Sequence, residues 1–109
     1  MLKRVLLQAG TQKMLSESAL QKKIIKYLEA QGAWVVKIIS CNKNGCPDLL
    51  AVHEGKFYAF EVKREDGKGV VSKLQKYRIK EIEKSGGIAY VVSSLDHVKK
   101  IMLPLQYEN

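Results

Sequence analysis

Residues 45–63 read Gly45-Cys46-Pro47-Asp48-Leu49-Leu50-Ala51-Val52-His53-Glu54-Gly55-Lys56-Phe57-Tyr58-Ala59-Phe60-Glu61-Val62-Lys63. Two apolar runs, Leu49 to His53 and Lys56 to Phe60, flank the Gly-containing turn signal Glu54-Gly55, a pattern that predicts a β-hairpin. With a loop of two residues, His53 lies opposite Lys56, and counting back pair by pair sets Asp48 opposite Glu61. Directly opposed side chains share a face, with about 5 Å between their Cβ atoms. Lys63 points to that face too, because strand side chains alternate. A three-residue loop would slip the register by one and turn Asp48 to the other face, unless a bulge restored it.

Two carboxylates at the end of an apolar hairpin repel each other and lose hydration unless a cation lies between them. A hard divalent ion, Mg²⁺ or Mn²⁺, suits such an all-oxygen site and can polarise a phosphoryl oxygen. Lys63 is then a point charge placed to orient water or to neutralise charge building up on a phosphate. The same spacing also fits a plainer arrangement. In that reading Asp48 caps the turn after Pro47, while Glu61 and Lys63 form a strand-end salt bridge.

The chain of 109 residues has the length of one domain, with a core that needs neither disulfides nor a structural metal. Lys and Arg outnumber Asp and Glu by 19 to 11, and the net charge of +8 favours a polyanionic partner, nucleic acid first. No stretch approaches the roughly 20 apolar residues of a transmembrane helix, and the basic residues are spread along the chain, which argues against a membrane partner. The basic start with Val5-Leu6-Leu7 has too short an apolar run for a secretory signal, so an intracellular location is expected. Cys41 and Cys46 lack any accompanying pair with zinc-ligand spacing and are expected to be free thiols. His53 and His97 are isolated and read as ordinary surface histidines.

The remaining elements follow an α/β order. Ser16 or Ser18 can cap a helix over Glu17 to Gln31, stopped by Gly32, with Leu20, Ile24, Tyr27, Leu28 and Gln31 at helical spacing. Glu17 falls on the inward side of the first turn, where it either complements the helix dipole or reaches the metal cluster. Ala33 to Ile39 is rich in β-branched residues and reads as the first strand. Ser72 and Gln75 form a capping box that opens a second helix to about Lys84, with Leu74, Tyr77 and Ile82 available for packing. Ile88 to Val92 reads as a fourth strand, and Ser94 caps a short helix carrying Leu95, Val98 and Met102. Lys43, Arg64, Lys68, Lys73 and Lys76 would give the site a basic flank suited to a phosphate backbone, with no recognition-helix or zinc-finger pattern for base readout.

Taken together, Gly45-x-Pro47-Asp48-Leu49, Phe60-Glu61-Val62-Lys63, the early helix with Glu17, and Ser72-Lys73-Leu74-Gln75 resemble the virus-type replication-repair nuclease domain (VRR-Nuc) of the PD-(D/E)xK nucleases. The resemblance covers about residues 16–93 and treats residues 1–109 as one nuclease domain. It implies a restriction-endonuclease-like α/β core, a central mixed sheet of about four strands flanked by helices. It also implies Mg²⁺- or Mn²⁺-dependent DNA cleavage, with Asp48, Glu61 and the Val62 carbonyl ligating the metal and Lys63 handling the water. Glu17 would complete the acidic cluster, directly or through water, and Gln75 would support the site from the second helix. Short free-standing members of phages and bacteria are expected to act as homodimers on branched DNA, most plausibly as Holliday-junction resolvases in DNA repair. The alternatives are a flap, nick or non-selective DNA nuclease, and a non-catalytic nucleic-acid-binding module. Val5-Leu6-Leu7 and Ile101-Met102-Leu103 are the expected dimer surfaces.

Overall fold

The computed structural model describes residues 15–66 and 69–107. The elements run α1 (Glu17–Ala30), β1 (Trp34–Lys37), β2 (Leu49–His53), β3 (Lys56–Val62), α2 (Lys73–Lys84), β4 (Ile88–Val92) and α3 (Leu95–Tyr107). The strands form one mixed sheet in the order β1-β2-β3-β4, antiparallel except for the parallel β3–β4 pair that α2 connects. Among the described residues no helix is long and apolar enough to cross a membrane.

The hairpin has the register required by a two-residue loop. His53 pairs with Lys56 and Leu49 with Phe60, so Asp48, one residue earlier, stands opposite Glu61. Glu54 and Gly55 have φ of 49° and 77°, the doubly left-handed backbone of a turn whose twist matches that of its strands. Alternation then divides the hairpin by face. Leu49, Ala51, Tyr58, Phe60 and Val62 are buried against Leu20, Ile24 and Leu28 of α1 and Val98 and Met102 of α3. Asp48, Val52, Phe57, Ala59 and Glu61 belong to the other face, which α2 partly covers.

The helix ends are set by local chemistry. The Ser16 hydroxyl accepts from the Ala19 N–H at 3.1 Å, and Gly32, at φ 90°, follows the end of α1. Both arms of the Ser72–Gln75 capping box are made. Ser94 accepts from the His97 N–H, opening an α3 that runs on to Tyr107 and is longer than the short helix predicted. The first strand is shorter than Ala33 to Ile39. Ladder contact persists to Ile38, whose N–H donates to the Asp48 carbonyl at 2.8 Å, but Ile39 beyond it is 85% exposed.

Other expectations are corrected. His53 is buried, because its place in β2 shares the core face with Leu49 and Ala51. Cys41 and Cys46 are joined in a disulfide, since the loop between β1 and β2 folds back and brings them together. Met102 belongs to the core and cannot serve as a dimer surface, whereas Leu103 is exposed; Val5-Leu6-Leu7 lies outside the described residues. On α1 it is Gln21, and not Gln31, that joins the buried stripe, while Tyr27 is only half-buried. No residue of α2 is buried, and Leu74 and Tyr77 stay 40% and 56% exposed.

Glu54 occupies a left-handed conformation that Asn tolerates better than Glu does. We expect Glu54→Asn to stabilise the fold by about 0.5–1 kcal/mol, read from urea denaturation midpoints at constant m-value; no gain would mean that the turn geometry differs.

Candidate active site

Asp48 enters β2 from a loop that the rest of the fold holds in place. Gly45, at φ 81°, lies so close to α2 that an added Cβ would come within 2.9 Å of Leu74 Cγ, and the Arg78 side chain donates to the Asn44 carbonyl at 2.8 Å. A side chain at position 45 would push the loop off the helix. Pro47 is buried, and the Asp48 carbonyl is paired with Ile38. The Asp48 Oδ2 atom accepts the Val62 N–H at 2.7 Å, which locks the carboxylate across the hairpin onto the end of β3.

Glu61 is 3% exposed on the same face. Its Oε2 accepts from Gln75 Nε2 at 2.9 Å and lies 3.2 Å from Lys63 Nζ, while its Oε1 is buried with no hydrogen-bond partner. Burial pushes the Glu61 carboxyl up to about 7, the neighbouring Asp48 charge adds to the shift, and Lys63 opposes both.

Lys63 continues the parallel ladder, its N–H donating to the Val92 carbonyl at 2.9 Å, and its side chain is enclosed. Gly69 lies against the aliphatic stem, leaving no room for a Cβ there, with Lys63 Cδ at 3.0 Å from where one would be. Lys63 Nζ donates to Gln75 Oε1 at 3.3 Å, and the same oxygen accepts the Ser72 N–H at 2.9 Å. Both of those partners are donors only, so the Gln75 amide has one orientation, with oxygen toward Lys63 and Ser72 and nitrogen toward Glu61. The residue that completes the helix cap thus also bridges the acid and the amine.

Asp48, Glu61, Lys63, Val62 and Gln75 are therefore brought together. Glu17 is not. It occupies the first turn of α1, the helix that packs on the opposite face of the sheet, and makes no hydrogen bond or ion pair among the described residues. Among those residues, no three His, Cys, Asp or Glu side chains form a group that could hold a metal. The start of α1 does share the site's end of the sheet, since the Leu15 N–H donates to Glu65 Oε1 at 2.7 Å just past β3. Lys43, Lys73 and Lys76 are exposed, Arg64 pairs with Asp66 at 3.4 Å, and Lys68 lies outside the described residues.

Sequence reasoning missed two contributors, the Val62 N–H and Gly69. The first follows from the register, once Asp48 is set opposite Glu61 at the hairpin's end. Only tertiary packing brings Gly69 onto Lys63.

The donor set fits a hard cation. Glu61 presents an orphaned buried oxygen beside a second carboxylate, and burial together with the Asp48 charge raises its carboxyl to about 7 against the pull of Lys63. One or two carboxylates with retained waters is the usual ligation of Mg²⁺.

Among solved structures, one described as a VRR_NUC domain is similar to this chain at 26% identity and a TM-score of 0.68, covering 85% of this chain and 97% of its own. No curated protein matches. The model of the archaeal Holliday junction resolvase (hjc) family matches residues 16–107, the span that contains α1 to α3 and every residue of the cluster. Both matches fall within the PD-(D/E)xK nuclease superfamily. With its acid, amine and amide gathered at one end of a restriction-endonuclease-like sheet, the chain belongs to the archaeal Holliday junction resolvase family and is a nuclease.

Proposed function

We propose that the protein is a Mg²⁺- or Mn²⁺-dependent endonuclease that hydrolyses phosphodiester bonds in branched DNA, acting as a homodimer on four-way junctions. The observation that carries this reading is the buried Glu61 facing the half-buried Asp48 with the buried Lys63 alongside, a cluster that stays costly until it meets a cation and a phosphate. Asp48, Glu61 and the Val62 carbonyl would hold the metal. When bound, such an ion polarises a phosphoryl oxygen and makes nearby water a stronger acid.

The chain's own residues supply the rest. Lys63 presents a fixed ammonium where negative charge accumulates on the phosphate, and Gln75 keeps it aimed by holding both Lys63 and Glu61. Gly69 shields the Lys63 stem from water, which strengthens that charge. Glu17 acts from the end of α1 through water. Lys43, Arg64, Lys68, Lys73 and Lys76 neutralise backbone phosphates and position the strand. Two copies of the site about a two-fold axis would give paired cuts in a symmetric junction.

The direct test is cleavage of labelled four-way junction, flap, single-stranded and linear duplex DNA. We expect Mg²⁺-dependent cutting, with the junction preferred. Asp48→Ala, Glu61→Ala and Lys63→Ala should each lose about 100-fold or more in rate while still binding DNA. Cutting that survives both carboxylate substitutions would relocate the site. Gln75→Ala, which removes a positioning group, should cost about 10- to 100-fold.

Acidity gives a second test. Because its folded carboxyl is raised from 4.5 to about 7, Glu61 supports folding below pH 4.5 and withdraws that support as the pH climbs through 7. In EDTA, the thermal midpoint should therefore fall between pH 5 and 7.5, and fall less in Glu61→Gln. Mg²⁺ requires the ionised carboxylate, so it should raise the midpoint more at pH 8 than at pH 5.5. An equal effect at both would remove Glu61 from the metal site.

A further inference from the structure

α2 covers only part of the sheet face that bears Asp48 and Glu61. Beyond it a row of three opposed side chains, Trp34, Val52 and Phe57, crosses β1, β2 and β3 on that same face. They are 62%, 42% and 39% exposed. Trp34 and Phe57 stand two strand spacings apart, about 10 Å, and the row lies four residues from the Asp48–Glu61 pair, about 13 Å along the strands. Phe57 also forms the floor of a groove of about 780 Å³ between the sheet and α2, walled by Ile82 and Gly87 and reaching Pro47, the neighbour of Asp48.

The groove is basic. Arg78 and Glu81 in its wall neutralise one another at 2.7 Å, which leaves the ammonium groups of Lys43 and Lys56 without an ion pair among the described residues. Phe57 is held against the Gly87 backbone, where an added Cβ would lie 3.0 Å from its ring and 2.6 Å from Ile82. A pinned aromatic ring loses little entropy when another ring stacks on it.

We propose that this strip and groove are a track for an unpaired DNA strand, with bases stacked on Trp34 and Phe57 and phosphates held by Lys43 and Lys56. The proposal rests on the nuclease reading and adds to it the part of the substrate that leads into the site. Stacking needs exposed base faces, which a duplex offers only at its ends, whereas an unpaired strand leaving a branch point offers them along its length. At the 3.4 Å spacing of a stacked strand, the distance from the aromatic row to the acid pair corresponds to about four nucleotides. Local charge disfavours a second copy of the chain as the occupant, because self-pairing of this strip would bring its own Lys43 and Lys56 against their counterparts.

Trp34 is the sole tryptophan of the chain, so its fluorescence reports on the strip alone. The full-length protein would be titrated in EDTA with a 12-residue oligothymidylate and with a closed hairpin duplex. We expect quenching by the single strand and little by the duplex. By anisotropy of a labelled oligothymidylate, Trp34→Ala and Phe57→Leu should each weaken binding about 10-fold. Lys43→Ala and Lys56→Ala should each lower the salt slope of single-strand binding by about 0.7. Trp34 is exposed on an edge strand and Phe57→Leu keeps an apolar side chain, so folding, checked by circular dichroism, should survive both.

Absence of quenching overturns the track, as does unchanged affinity in both aromatic variants. Quenching that grows with protein concentration alone assigns the strip to self-association and also overturns it. Junction cleavage by the wild-type protein separates the two readings. Cutting without aromatic-dependent single-strand binding sinks the track and spares the nuclease, and such binding without cutting under any divalent ion does the reverse.

Discussion

A hairpin closed by two residues, both at positive φ, has no freedom of register, and alternation carries that constraint to its far end. At the sixth pair from the turn it obliges two carboxylates to face one another across neighbouring strands. Their repulsion is not relieved by solvent, because Glu61 is almost fully enclosed. The local structure therefore creates an electrostatic problem, and the side chains around it are arranged as a partial answer. Asp48 spends one oxygen on the Val62 N–H, Glu61 spends one on Lys63 and Gln75, and one oxygen of Glu61 is left for a ligand the protein does not itself provide.

The features legible from sequence were those decided by short-range chemistry. The Glu54-Gly55 turn, the Ser72–Gln75 capping box and the β-branched strand Ile88–Val92 each follow from residues within a few positions of one another, and each is present as expected. Of the candidate site, the juxtaposition of Asp48, Glu61 and Lys63 was readable for the same reason, because the hairpin alone brings them together, whereas the place of Gln75 beside them came from the family resemblance. Where faces had to be assigned between distant elements, reading by pattern failed. Isolation along the chain suggests a surface place for His53, whereas its parity with Leu49 and Ala51 puts it on the core face. The Cys41–Cys46 bond depends on the path of a loop, which composition and an assumed reducing compartment do not describe.

The two layers on the sheet are built differently. α1 and α3 bury aliphatic side chains against Tyr58, Phe60 and Val62, and this side supplies the hydrophobic core. α2 buries none, and it is held by directional contacts. These are the Gln75 amide at its N-terminus, the Arg78 bond to Asn44, and the close approaches at Gly45 and Gly87. Polar and steric contacts of this kind fix orientation better than they supply stability, and they hold one amide of α2 against two charged groups.

That asymmetry bears on how the molecule opens. Amide exchange in a small domain follows a hierarchy of partial unfoldings, and the segment with the fewest buried apolar contacts is released first at the lowest free energy. Here α2 and the edge strand β1 are the described elements with no buried residue. When the first turn of α2 frays, the Ser72 cap, the Gln75 bridge and the anchoring of Lys63 are lost in one event, while the sheet and the other two helices persist. The integrity of the candidate site is thus a local property of the fold. A strand of DNA lying against α2 and the sheet would be its natural clamp, suppressing the opening by mass action and making the assembled site, in part, a product of its own substrate.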